Sequence, residues 1–176
     1  GASQGFRAPN LSDLTRLDAA ASGEMETPAF GLQPERFVTY EAGLKLRQGR
    51  VSLQAAYFFT DIDRMIVRTP TGRVLSVQGA NFNEVTKKNS GDGFLHGVEW
   101  SGDVRLGDDW SVRAGFTWME GRLETFPVTS SAPVLQTEPL SRLMPTSLQG
   151  AVAWHSPSRR WWAEAACFLA ARQDRL

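Results

Sequence analysis

Residues 38–60, VTYEAGLKLRQGRVSLQAAYFFT, decide the fold. The first half puts Val38, Tyr40, Ala42, Leu44 and Leu46 on one side of an extended chain and Thr39, Glu41, Gly43, Lys45 and Arg47 on the other. That is the period of two that a β-strand imposes and a helix does not. Past Gln48-Gly49 the apolar positions change from even to odd, to Val51, Leu53, Ala55, Tyr57 and Phe59, with Arg50, Ser52, Gln54 and Thr60 opposite. A two-residue turn at Gln48-Gly49 requires such a switch, and it predicts the cross-strand pairs Leu46–Val51, Leu44–Leu53 and Tyr40–Tyr57.

The same test applies twice further along. VEWSGDVRL is apolar at Val98, Trp100, Val104 and Leu106, and WSVRAGFTW at Trp110, Val112, Ala114, Phe116 and Trp118. Both sets are even, as a three-residue turn at Gly107-Asp108-Asp109 demands, so Val104 faces Val112 and Trp100 faces Phe116. Leu148, Val152 and Trp154 are then followed by Trp161, Ala163, Ala165, Cys167 and Leu169, a switch that predicts a four-residue turn from Ser156 to Arg159 and sets Trp154 beside Trp161. Counting a further strand at Gly1–Ala8, the chain reads as about seven strands of an antiparallel up-and-down meander. The short turns alternate with long connections at Pro9–Pro34, Thr69–Gly93 and Phe126–Pro139, rich in Gly, Pro, Thr, Ser and Asn. Short turns at one end and long loops at the other suit a transmembrane β-barrel.

Bulk composition narrows the function classes. The 176 residues are 41% hydrophobic and 22% charged, with 19 acidic and 19 basic side chains and no net charge. Nothing in this balance attracts nucleic acid, and the basic residues are scattered. No apolar run approaches the roughly 20 residues of a membrane helix. Cys167 is the sole cysteine, so it forms no internal disulfide.

Along all six strands of the three hairpins the apolar face is free of charge, whereas the other carries Glu41, Lys45, Arg47, Arg50, Glu99, Asp103, Arg105, Arg113 and Glu164. A soluble β-sheet binding or adhesion module would also alternate in this way, with the apolar face in its core. The tryptophans favour lipid: Trp110 and Trp118 are separated by about 26 Å of strand, roughly 20 Å along the membrane normal at ~40° tilt, against an apolar band of ~25 Å. An indole at each border keeps its ring in hydrocarbon and its N–H among headgroups.

Two further stretches carry a resemblance. GFRAPNLSDL at Gly5–Leu14 and GLQPERFVTYEAGLKL at Gly31–Leu46 resemble segments of the TonB-dependent outer-membrane receptors, and the strands that follow fit the same family in order. Phe6, Arg7, Ala8, Pro9, Pro34 and Glu35 are the motif positions. The resemblance implies an outer-membrane barrel of about 22 strands with an N-terminal plug, in contact with lipid and driven by the TonB complex to import a scarce small-molecule nutrient. Residues 1–176 then read as a partial barrel domain, an internal piece with plug and remaining strands elsewhere.

The ligand that the resemblance favours is a ferric siderophore, with haem or a haemoprotein as the alternative. Some haem receptors of the family place a histidine between the two motif segments; here no His precedes Pro34, and the second segment reads FGLQPE. For an anionic chelate the loop cations Arg16, Arg64, Arg68, Arg73, Lys87 and Lys88 are the candidates. No enzyme, cofactor or metal site is expected. His96 and His155 are too few for a catalytic constellation, Asp61 and Asp63 beside Arg64 read as a solvated network, and SGDG at Ser90–Gly93 lacks the strand-then-helix setting of a phosphate loop.

Overall fold

The computed structural model describes residues 1–20, 23–127 and 133–172. Its backbone is one antiparallel meander of β1 (Ala2–Arg7), β4 (Glu35–Gln48), β5 (Val51–Val77), β6 (Ala80–Leu106), β7 (Trp110–Thr125), β9 (Ser147–His155) and β10 (Trp162–Ala170), each paired with the next. Between β1 and β4 lie a single-turn helix α1 (Leu11–Thr15) and a small hairpin of β2 (Asp18–Ala20) and β3 (Glu24–Glu26), and β8 (Gln136–Pro139) pairs with the far end of β7. The sheet is open, with β1 and β10 at its edges. No helix among the described residues is long and apolar enough to cross a membrane.

Register carries the sequence alternation across the whole sheet. One continuous row runs Leu44, Ala55, Trp100, Phe116, Leu148 and Leu169, each the direct partner of the next. One residue along, on the opposite face, the row is Lys45, Gln54, Ser101, Gly115, Gln149 and Phe168, polar except at Gly115 and Phe168. Nothing among the described residues encloses the apolar row: Leu44, Leu148 and Leu169 are exposed, as are Tyr40, Trp110 and Trp161. In water each such side chain would forgo about 1.5–3 kcal/mol of burial; hydrocarbon removes that penalty. The polar face is hollowed instead, into a trough of about 720 Å³ bordered by Ser52, Gln54, Ser101, Asp103, Arg113 and Gln149.

Three expectations need correction. In the first hairpin the turn is Gly49-Arg50, so Leu46 faces Leu53, Leu44 faces Ala55 and Tyr40 faces Phe59. Gly49 has φ +55°, and a tight hairpin turn places such a residue first of its two central positions. In the last hairpin Trp162 pairs with His155, and Ser156 N–H donates to the Trp161 carbonyl at 2.9 Å. Trp154 therefore faces Ala163 rather than Trp161, and its aromatic neighbour is Trp110, at 6.5 Å between ring centroids. Both slips move partners by two residues, which preserves the faces. The middle hairpin pairs Val104 with Val112 and Trp100 with Phe116, as its parity requires.

The third correction is larger. Thr69–Gly93 is no loop: β5 and β6 continue through it as 27-residue strands to a two-residue turn at Gln78-Gly79. Both turn residues have positive φ, 51° and 83°, as a type I′ turn needs. Register slips between Ile62 and Ile66 and between Pro70 and Val74 mark bulges in β5, where Arg64 and Gly72 also have positive φ. Pro9–Pro34 likewise contains the short helix and hairpin just named. Of Phe126–Pro139, residues 128–132 lie outside the described residues.

Two aromatic groups bound the apolar face. Trp110 and Trp154 stand beside the short turns. Near the other end, His96 meets Trp118 edge-on at 5.3 Å, Phe94 at 5.8 Å and Tyr57 at 6.1 Å, and Phe59 stacks on Phe94. From Trp110 to Glu120, the partner of His96, is about 33 Å of strand, or ~25 Å along the normal at ~40° tilt. Between those rows the apolar face carries no carboxylate. Above it sits a packed apolar cluster of Ile62, Val67 and Leu123 with Phe37, Met65, Leu95 and Leu140.

Candidate functional site

The loop end beyond the upper aromatic group gathers the charged side chains. Asn10 caps α1 and exchanges hydrogen bonds with Asp13, the Asn10 side chain accepting from the Asp13 N–H and the Asp13 carboxylate from the Asn10 N–H. The capping box fixes Asp13 between two cations: Arg7 donates to it at 2.9 Å and Lys87 at 2.9 Å. Burial pushes the Asp13 carboxyl up, but the Asn10 N–H, Lys87 and Arg7 together outweigh burial and hold it below its ordinary value.

Arg7 also forks onto Glu35, with both contacts at 2.6 Å. Glu35 is 1% exposed and its Oε1 additionally accepts from the Ile66 N–H at 2.9 Å. Those bonds to Glu35 are the main reason the Arg7 guanidinium is held even more firmly protonated than usual. One carboxylate thereby ties β1, β4 and the bulged stretch of β5 together.

A second buried carboxylate anchors the tall hairpin. Glu84 accepts from Arg73 at 2.6 and 3.0 Å, from Thr71 at 2.5 Å and from Thr27 at 3.2 Å. Burial raises the Glu84 carboxyl, and the Thr71, Arg73 and Thr27 donors more than reverse this. Asn89 clamps the approach to β4, donating to the carbonyls of Gln33 and Arg64 and accepting from the Gln33 N–H, each at 2.8 Å.

Across its first 172 residues the sequence matches the family described as TonB dependent receptor-like, beta-barrel. The chain belongs to the TonB-dependent receptor family. Solved structures similar to it include the copper transporter OprC, at TM-score 0.67 and 16% identity over 99% of this chain and 24% of that one. Another is the siderophore receptor PirA from Pseudomonas aeruginosa, at TM-score 0.54 and 18% identity over 95% of this chain and 31% of that one. At these identities the likeness establishes the fold. The chain spans about a quarter to a third of their lengths.

Within this receptor piece the six loop cations predicted from sequence fall into separate groups. Arg16, Arg68 and Lys87 converge on Glu26, at 3.5, 3.5 and 3.8 Å. Arg73 belongs to Glu84, and Arg64 reaches Asp63 at 3.0 Å and Gln33 at 2.8 Å. Lys88, the cross-strand partner of Val67, is exposed. Of the motif residues, Arg7 and Glu35 are the cross-link itself, Phe6 is 76% exposed on β1, and Ala8, Pro9 and Pro34 lie in the connections flanking α1 and β4. Sequence reading missed Asp13, Glu26, Glu84 and Asn89. Only Asp13 had a local signal, the capping spacing Asn10-Leu11-Ser12-Asp13.

Proposed function

We propose that this chain forms part of an outer-membrane TonB-dependent transporter that imports a scarce nutrient, most economically a ferric siderophore. The observation that supports membrane insertion is the apolar face without carboxylates between its two aromatic rows, opposite a hollowed polar face that carries the charges. Strands outside this chain would close the barrel, lipid would contact the apolar face, and TonB would engage a plug region beyond these 176 residues. The loop cations Arg16, Arg64, Arg68, Arg73, Lys87 and Lys88 supply positive charge at the loop end, where an anionic chelate would arrive. We assign no enzymatic step.

Two measurements test this reading. In detergent, the full-length protein carrying this chain should migrate compactly on gels until boiled, as a closed barrel does. Iron-starved cells lacking it should lose growth on at least one ferric siderophore and regain it on complementation. Unchanged growth on every siderophore would remove that ligand, and recovery on haem alone would favour the haem alternative.

A further inference from the structure

The apolar face changes character just beyond its upper aromatic group. Phe59 and His96 are direct partners within that group, and the next pair on the same face is Asp61 with Phe94. Two residues of strand are about 7 Å, or ~5 Å along the membrane normal at ~40° tilt. On the membrane reading Asp61 therefore stands in the headgroup layer, roughly 5–8 Å thick on each side of the hydrocarbon. Asp61 is also the direct partner of Val38, and one step further along the same face Arg36 is the partner of Asp63.

Arg36, Asp61, Asp63 and Asp92 line one groove of about 450 Å³ together with Val38 and Tyr40. Arg64 satisfies two of the three carboxylates, donating from Nε to Asp63 at 3.0 Å and from its backbone N–H to Asp92 at 2.9 Å. Asp61 is exposed and accepts no hydrogen bond among the described residues. Arg36 is exposed as well, and its one contact, 3.5 Å to Gln4 Oε1, exceeds the roughly 3.2 Å limit of a good N–H···O bond. An opposite-charge pair directly across two strands attracts, yet Asp63 is held by Arg64 and leaves Arg36 open. The groove thus presents one free guanidinium and one free carboxylate, both accessible from the lipid side. Such a lining offers less to a lone anion or a lone cation than to a group carrying both charges.

We propose that this groove binds the phosphoethanolamine headgroup of a membrane lipid, its phosphate on Arg36, its primary ammonium on Asp61 and the start of its acyl chain along Val38 and Tyr40. A guanidinium fork matches phosphate oxygens in geometry, and a primary ammonium brings three donors to a carboxylate that lacks any. Tyr40 is exposed on the apolar face below the groove, so the path from headgroup to hydrocarbon is continuous. The inference rests on the reading that the apolar face contacts lipid, and it adds the chemical identity of one headgroup recognised at the upper border.

The test uses the full-length protein folded in detergent, titrated by native mass spectrometry with three short-chain lipids of identical tails: phosphatidylethanolamine, phosphatidylglycerol and phosphatidylcholine. Phosphatidylethanolamine should bind about tenfold more tightly than phosphatidylglycerol, which has no ammonium, and than phosphatidylcholine, whose ammonium has no N–H. Asp61→Asn should bring phosphatidylethanolamine down to the level of phosphatidylglycerol, and Arg36→Gln should weaken both, without change in heat-modifiable mobility. Arg50→Gln, at the short-turn end, should leave all three affinities unchanged. Should Asp61→Asn fail to fold, the three-lipid comparison on the unaltered protein decides by itself. Equal affinity for the three lipids, no lipid binding, or binding indifferent to the two groove variants would each overturn the inference. A protein that migrates compactly until boiled yet shows no headgroup preference loses this site and keeps its membrane and transport roles; one that never migrates compactly loses the membrane reading and the site with it.

Discussion

The lower and upper halves of β5 and β6 are the same two strands under different rules. From Val51 to Tyr57, against Val104 to Val98, the ladder runs without a slip and one face is apolar throughout. From Asp61 to Val77 the register shifts repeatedly, and Glu35 and Glu84 are buried against the strands with arginines bound to them. The lower half is specified by its alternation, since a one-residue slip would turn every charge onto the apolar face. In the upper half bulges break the register, and cross-links between named side chains stand beside the apolar cluster in place of the alternation.

The largest test of that contrast is a charge on each half. Leu44→Arg, in the middle of the apolar row, should destabilise by about 2–4 kcal/mol in urea titrations from lipid vesicles. Val74→Arg, on an exposed site of the tall hairpin, should stay within about 0.5 kcal/mol. Equal effects would break the distinction.

Close approach on the polar face gives the next effect. A Cβ at Gly97 would lie 2.5 Å from the Trp118 carbonyl oxygen and 2.6 Å from the Phe58 ring. Gly97→Ala should therefore cost about 1–3 kcal/mol in the same titration, although alanine has the better strand propensity. An unchanged midpoint would mean that the Trp118 backbone shifts as freely as the Phe58 ring.

In the upper half, Glu35→Ala leaves the buried Ile66 N–H without its acceptor, a loss of about 1–3 kcal/mol. The half-exposed Arg7 can turn to water, so the damage should be local. Amide hydrogen exchange should quicken over residues 10–34 and at Ile66 while the β6–β7 ladder stays protected. Uniform quickening would show that the two halves are one cooperative unit.

The smallest effect is acid loosening. Asp13 and Glu84 titrate below their ordinary values in the folded protein, so their stabilisation is complete above the unfolded values near 4 and is lost as pH falls through the folded ones. Protease nicking of residues 10–34 should rise below about pH 4 while the apolar face between the two aromatic rows, which holds no carboxylate, keeps its protection. A loop equally resistant at pH 3 and pH 7 would show that these ion pairs contribute little.

Legibility follows the same division. Side-chain parity gave the meander, the faces and the register of the middle hairpin. The other two hairpins slipped by one turn residue because parity fixes a face but leaves registers two residues apart equally acceptable, and Gly49 and the Ser156–Trp161 bond made the choice. Thr69–Gly93 reads as a loop because its Thr, Pro, Gly and Asn content hides strands interrupted by bulges. At the candidate site, the six cations could be named but not grouped, since Arg16, Arg68 and Lys87 meet only where β3 crosses onto β6.

The sequence by itself determined which side of each strand is greasy and which is charged, because the pleat converts a period of two directly into two faces. Only the tertiary structure decided which distant ions share a carboxylate. Arg7 with Glu35, Arg73 with Glu84 and three cations with Glu26 are joined by strand pairing and loop crossing, and no local spacing encodes such distances.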